Sequence, residues 1–257
     1  MPKAILYDAT LCIDCKQCEQ ACAEQNKNPY TDAIGKEQRT SDHKFTYVAD
    51  TYGGEKYMRK LCMNCLDPTC VSVCPVGALV KHKEGPVSYN ADACMGCRYC
   101  MVACPFGVPK YEWTKTIPRV RKCIMCPDRV LAGKQTACAE ACPTGATKCG
   151  DRDELIAEAK KRLTDKPADY YQRIYGMQEV GGTSVLYIAA VPFDKIGLKT
   201  EVPQEPLPAL TWRALSLVPD VAMVGSTLLG GVYWITHRKQ KVAAEEAADR
   251  KAAKGAR

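Results

Sequence analysis

Sixteen of the seventeen cysteines stand in four consecutive groups of four, and their spacing limits the chemistry sharply. Cys12, Cys15, Cys18 and Cys22 follow C-x2-C-x2-C-x3-C, while Cys62, Cys65, Cys70 and Cys74 widen the middle gap to C-x2-C-x4-C-x3-C. Cys94, Cys97, Cys100 and Cys104 return to the first spacing. Cys123, Cys126, Cys138 and Cys142 place eleven residues between the second and third cysteines. Three thiolates on a tight loop hold three irons of a cubane, and a fourth, past the turn, reaches the neighbouring cluster. Pro75, Pro105 and Pro143 follow the fourth cysteine of groups two to four, with Gly77, Gly107 and Gly145 two residues further on. Proline suits a first helical turn, and glycine lets backbone approach a bulky inorganic core. Group one departs from this, with Ala23 where the proline would stand.

A disulfide framework belongs to short secreted domains, whereas this chain has 257 residues and an odd cysteine count. Zinc takes paired C-x2-C knuckles but gives no reason for the recurring C-x3-C closures. Cys149, the one left over, reads as a packed or free thiol. Two groups make a two-cluster unit, so four groups imply two ferredoxin-like units and four 4Fe-4S clusters. The short stretch from Pro75 to Ala93 joins groups two and three into one unit, leaving groups one and four to pair around it. The shared sets would be Cys12, Cys15, Cys18 with Cys142, and Cys123, Cys126, Cys138 with Cys22. The inner pair would be Cys62, Cys65, Cys70 with Cys104, and Cys94, Cys97, Cys100 with Cys74. Sequential pairing, one with two and three with four, is the competing topology.

Beyond the cysteines, no P-loop, dinucleotide fingerprint or nucleophile motif occurs. His43 and His82 sit in polar runs and read as solvated loop residues; His237 follows the apolar tail. With all sixteen motif cysteines engaged as ligands, no iron is open to substrate, which makes the protein a non-catalytic conductor of electrons. Arg59, Lys60, Arg98, Lys110, Arg119, Arg121 and Lys122 crowd the cysteine groups. They read either as cations raising cluster potentials or as an ordinary basic surface.

The elements that must position these groups are short. The polar insertion from Gln25 to Tyr57, ending in TYGGEKY, lacks a long apolar period and suggests loops and short strands. It reads as a docking surface or as a solvated excursion. Asp151 to Arg162 reads as a helix, with Asp153 and Glu154 in its first turn and Lys160 to Arg162 at its end. Farther on, Val221 to Ile235 carries no charge, and extending back to Leu215 reaches the ~20 residues of a membrane span. That extension takes in Pro219 and Asp220, and Tyr233 with Trp234 supplies an interfacial aromatic belt. Ala222, Ser226 and Gly230 recur every four residues, a weak hint of a helix-packing face. The expected organisation is a cluster domain over 1–150, a packing segment over 151–198 and a Pro-rich linker over 199–211. A transmembrane helix over 212–236 and a basic tail over 237–257 complete it. The tail supplies much of the net charge of +7, so nucleic-acid binding explains that charge poorly. The positive-inside rule places the tail in the cytoplasm and the cluster domain outside. The N-terminus shows neither a twin-arginine motif nor an apolar signal core, which implies export together with a partner that carries the signal.

The chain resembles the four-cluster iron–sulfur (beta) subunits of the molybdopterin oxidoreductase superfamily, of the type in respiratory formate dehydrogenases and membrane hydrogenases. The resemblance rests on DATLCIDCKQCEQAC, KLCMNCLDPTCVSVCPVGAL, DACMGCRYCMVACPFGVP and RKCIMCPDR, then GGTSVLYIAAVPFDKIGL from Gly181 to Leu198. It implies an α+β fold of two ferredoxin-like modules, one inserted in the other, followed by a single C-terminal transmembrane helix. Family members interleave their cysteine groups, which favours the nested sets over the sequential ones. Some relatives carry tryptophan in group three and hold a three-iron cluster, whereas Cys100 here implies four irons. The implied partners are a molybdenum or tungsten pterin catalytic subunit, such as a formate dehydrogenase, and a membrane cytochrome b or quinone-binding subunit. The same conductor would also suit a nickel–iron hydrogenase, or a polysulfide, nitrite or sulfoxide reductase. A free membrane-tethered polyferredoxin is the reading of another class.

Overall fold

A computed structural model describes residues 2–51 and 56–255. Strand β1 (Lys3–Asp8) leads into α1 (Gln17–Gln25), then α2 (Asp32–Lys36) and the hairpin β2 (Tyr47–Asp50) with β3 (Tyr57–Lys60). Next come α3 (Thr69–Ser72), β4 (Leu79–Lys81), β5 (Val87–Tyr89), α4 (Tyr99–Ala103), β6 (Lys110–Tyr111) and β7 (Val120–Arg121). Two short helices, α5 (Pro127–Leu131) and α6 (Ala137–Glu140), precede β8 (Thr147–Asp151), α7 (Arg152–Asp165) and β9 (Val185–Ile188). The tail holds α8 (Leu207–Leu215) and α9 (Val218–Gly255). Small sheets and separate helices make the fold α+β.

β1 is the hinge of the architecture. It pairs antiparallel with β8, Ile5 opposite Cys149, and parallel with β9, Ile5 opposite Val185. Successive side chains on a strand point to opposite faces. On one face Ala4, Leu6, Leu186 and Ile188 meet Leu155, Ala159 and Leu163 of α7. On the other, Ile5, Tyr7, Val185 and Tyr187 join a core that contains Cys18, Cys22, Cys123 and Cys138. The sheet is thus a partition, helix on one side and cysteines on the other. Asp8, buried at its end, accepts hydrogen bonds from Arg162 (2.7 Å) and Tyr170 (2.8 Å), tying α7 to β1. The helix expected from 151 to 162 runs from 152 to 165 with Asp153 and Glu154 in its first turn.

The insertion after group one is neither a solvated excursion nor purely loops. Phe45, Val48 and Met58 enter the main core. Lys44, 3% exposed, pairs at 2.8 Å with Glu19 of α1, itself 1% exposed. Of TYGGEKY, residues 52–55 lie outside the described part.

The chain from 209 onward forms a second compact unit. The helix begins at Leu207, inside the stretch expected as linker, and is interrupted at Ser216 and Leu217. Pro219 explains the interruption: its ring clashes with the carbonyl four residues earlier, on Leu215, where α8 ends. In the first turn of α9 the same proline is tolerated, and Asp220 complements the helix dipole there. Helical structure continues through the expected tail to Gly255. Val221, Val224, Leu228, Val232 and Ile235 are each more than half exposed, an apolar surface long enough to cross a bilayer.

Candidate iron–sulfur site

Each cysteine group opens with the same strained turn. The residue before the second cysteine has positive φ in all four groups: Asp14 (52°), Asn64 (45°), Gly96 (74°) and Met125 (63°). Groups one and three repeat it one residue beyond, at Lys16 (56°) and Arg98 (63°), and in group four Cys126 itself takes 47°. Non-glycine residues rarely sit there, and such positions concentrate at functional sites. Turns of this kind gather successive backbone N–H groups into an anion-binding concavity.

The fourth cysteine of each group has hydrogen-bond donors beside it. Ala78 N–H donates to Cys74 Sγ at 3.2 Å and Thr147 N–H to Cys142 Sγ at 3.3 Å. Burial raises the Cys104 thiol, and the backbone N–H groups of Val108, Phe106 and Gly107 near it oppose the shift. In groups two to four the helix has ended before this cysteine, and Gly77, Gly107 and Gly145 turn the chain at φ of 61°, 63° and 67°. No protein atom meets a Cβ built at Gly77 or Gly107, and the positive φ of each is what the turn requires. Group one, lacking the proline, keeps its helix running through Cys22, and there the Asn26 side-chain amide donates to Cys22 Sγ at 3.6 Å. Asn26 went unread in the sequence, where only its spacing four residues after Cys22 hints at the role.

The structure brings cysteines together across groups. One cavity is lined by Cys62, Cys65, Cys70 and Cys104, and another by Cys74, Cys94, Cys97 and Cys100. Their helices α3 and α4 pack together, as do α1 and α6 of groups one and four. Burial raises the Cys22 thiol, and Cys123, Cys138 and Cys126 beside it raise it further. Burial likewise raises Cys12, with Cys142 contributing, although hydrogen bonds from Tyr7 and Asp14 oppose the shift. Cys15 stands exposed on the same loop. Burial pushes Cys18, Cys70 and Cys123 up to about 12, so binding a metal must displace protons.

These residues fit an iron–sulfur cubane. Among the described residues no three Cys, His, Asp or Glu converge on a point suited to one ion. The thiols instead line the walls of a cavity, as suits a cluster that takes each thiolate on a different corner. A buried donor also lacks a partner: the Tyr187 hydroxyl, fully enclosed, has no hydrogen bond among the described residues and lies near Cys123 and Cys62. Cluster sulfur is an acceptor that would satisfy it.

The basic residues separate into two kinds. Lys60 bonds the Gly197 carbonyl (2.8 Å), Lys110 that of Gly107 (3.0 Å), and Arg119 faces Asp92 (3.6 Å). Arg98 lies over Tyr111 and Trp113, and Arg121 bonds Asn28 at 2.6 Å. Arg59 and Lys122, by contrast, are 1% and 4% exposed. Lys81 joins Lys122 beside the second group; burial brings it down to about 8 although Cys65 and Cys62 favour its charged form. Leu79 and Lys81 share a strand face, and buried Leu79 was the signal that could have revealed that lysine. His43 bonds Asp42 (2.9 Å), His82 bonds Ser88 (2.8 Å), and Cys149 sits on β8 beside Thr136 and Cys138.

Residues 55–152 match the 4Fe-4S dicluster domain. The chain is 37% identical over 236 residues to the hydrogenase-2 operon protein HybA of Escherichia coli O157:H7, covering 76% of this chain and 72% of the relative. It is 33% identical over 252 residues to the formate dehydrogenase iron-sulfur subunit of Haemophilus influenzae, covering 91% and 80%. The nitrate-inducible formate dehydrogenase iron-sulfur subunit of Escherichia coli is 35% identical over 199 residues, covering 72% and 67%. Repeated thiol-lined loops, a dicluster domain and these likenesses over most of the chain lead to one conclusion: this chain belongs to the family of ferredoxin-type iron–sulfur subunits that includes those of formate dehydrogenase and HybA.

Proposed function

We propose that this chain relays electrons between a molybdenum or tungsten pterin catalytic subunit and a membrane cytochrome or quinone-binding subunit, through four 4Fe-4S clusters in nested modules. The observation that carries the reading is the pair of cavities joining group two with group three, one lined by Cys62, Cys65, Cys70 and Cys104, the other by Cys74, Cys94, Cys97 and Cys100. The contact of α1 with α6, and of Cys22 with Cys123 and Cys138, supports the outer sets of groups one and four. Bound clusters supply one-electron exchange. The protein's own part is to fix sixteen thiolates, place backbone donors beside them and bury Cys18, Cys22, Cys100, Cys123 and Cys138 away from water. In this reading the end sites are those with the exposed cysteines, Cys15 and Cys97. On the same reading the apolar helix anchors the subunit in the bilayer, and Arg238, Lys239 and Lys241 beyond it support a cytoplasmic tail with the cluster domain outside. The likeness to HybA supports a second reading, in which a hydrogenase is the electron donor.

The test is anaerobic purification of the complex from native membranes, with iron assay and identification of every subunit. The expected result is a brown complex with at least about sixteen irons per copy of this subunit, any haem or cluster of the partners adding to them, a pterin-bearing large subunit and formate-dependent dye reduction. Hydrogen-dependent reduction with a different large subunit would select the second reading. A colourless, zinc-bearing protein would overturn both.

A further inference from the structure

Arg59 occupies an unusual position. Its guanidinium is permanently charged, yet the residue is 1% exposed. Its Nε donates to Thr46 Oγ1 at 2.9 Å and one terminal nitrogen donates to Thr147 Oγ1 at 3.2 Å. Both partners are neutral, and among the described residues no carboxylate pairs with it. An isolated buried charge costs several kcal/mol unless something compensates it. What faces Arg59 is sulfur. It reaches the Cys138 thiol, with Cys18 and Cys22 near it, and Thr147, which accepts from it, donates its own N–H to Cys142 Sγ at 3.3 Å. Cys22 and Cys138 belong to one proposed set, and Cys18 and Cys142 belong to the other outer set.

We propose that Arg59 is the shared counter-cation of the two outer cluster sites, raising the reduction potential of both. The inference rests on the nested assignment above and adds to it a specific tuning residue. Taking up an electron makes a thiolate-ligated cluster more negative, and a fixed positive charge within the same low-dielectric core favours that product. Hydroxyls on Thr46 and Thr147 hold the guanidinium in place without neutralising it. Lys81 and Lys122 stand beside group two instead, so the effect of Arg59 is expected to be largest at the outer pair.

The test is an EPR-monitored redox titration of the purified complex carrying Arg59→Lys, Arg59→Gln or Arg59→Met. The Gln and Met variants are expected to lower two of the four midpoints, each by about tenfold in the reduction equilibrium, or 59 mV for one electron. The Lys variant should stay near the parent. Unchanged midpoints at full iron content, a shift in one centre alone, or an equal shift in all four would overturn the proposal. If the neutral variants lose iron, retention by the Lys variant supports the requirement for charge, and loss by Lys as well overturns it. Iron content of the parent complex judges the underlying assignment separately: fewer than four clusters there would defeat the nested reading whatever the variants do.

Discussion

Replacing Cys12 and Cys142 together by serine is expected to remove one cluster, about four irons, the same loss as either replacement alone. Nested pairing makes these two residues, distant in sequence, ligands of a single site, and the second substitution finds that site already gone. Sequential pairing assigns Cys142 to a set with group three, so the double variant would lose two clusters. The matching inner test is Cys62→Ser with Cys104→Ser. Iron and acid-labile sulfide per chain, measured on complexes purified without air, separate the outcomes. Loss of about eight irons from the Cys12/Cys142 pair would sink the nested arrangement. The packing of α1 of group one against α6 of group four is the reason to expect the smaller loss.

Lys44→Met is expected to destabilise the cluster unit by about 3–5 kcal/mol, the usual cost of leaving one partner of a buried ion pair alone. Lys44 Nζ donates to Glu19 at 2.8 Å and to the carbonyls of Ile34 (2.8 Å) and Glu37 (2.7 Å). Glu19 in turn accepts from Val48 N–H at 2.6 Å, so one carboxylate fastens the insertion to α1. Since Glu19 lies between Cys18 and Cys22, the damage should reach both outer sets. In urea, visible cluster absorbance would be lost at a denaturant concentration lower by roughly 1 M or more. Adding Glu19→Leu should return part of the loss by removing the lone buried carboxylate, the remainder being the Val48 N–H left without its acceptor. If the single variant matched the parent in urea, the pair would carry no such weight.

The sequence revealed the chemistry more readily than its surroundings. Cysteine spacing is dictated by the shape of a cubane and survives in one dimension, as does the charge pattern of α7. β1 was harder to read: Ala4 to Tyr7 is buried on both faces, which erases the alternation that marks a one-sided strand. The insertion misled for a different reason. Lys44 looks like surface, and only the converging carbonyls of Ile34, Gly35 and Glu37 with Glu19 make its burial tolerable. Arg59 shares that ambiguity, since its partners Thr46 and Thr147 are far apart in sequence and the thiols it faces come from two groups. Tyr187 lay in a segment noted for its likeness to relatives, but nothing in its neighbours signals an unpartnered hydroxyl.

The central place of β1 has a consequence for the order of assembly. β1 is made before the rest of this unit and needs β8 and β9 on its two edges, both of which are made last in it. Groups two and three are complete once Cys104 has emerged, with their helices α3 and α4 already able to meet. The inner pair can therefore be metallated while Cys12 to Cys22 still await Cys123 to Cys142, and the N-terminal strand stays open-edged until synthesis passes Ile188. On this hypothesis, nascent chains stalled shortly before β8 carry iron at the inner sets only. Iron bound equally by Cys12 to Cys22 in such chains would show that loading does not wait for the sheet.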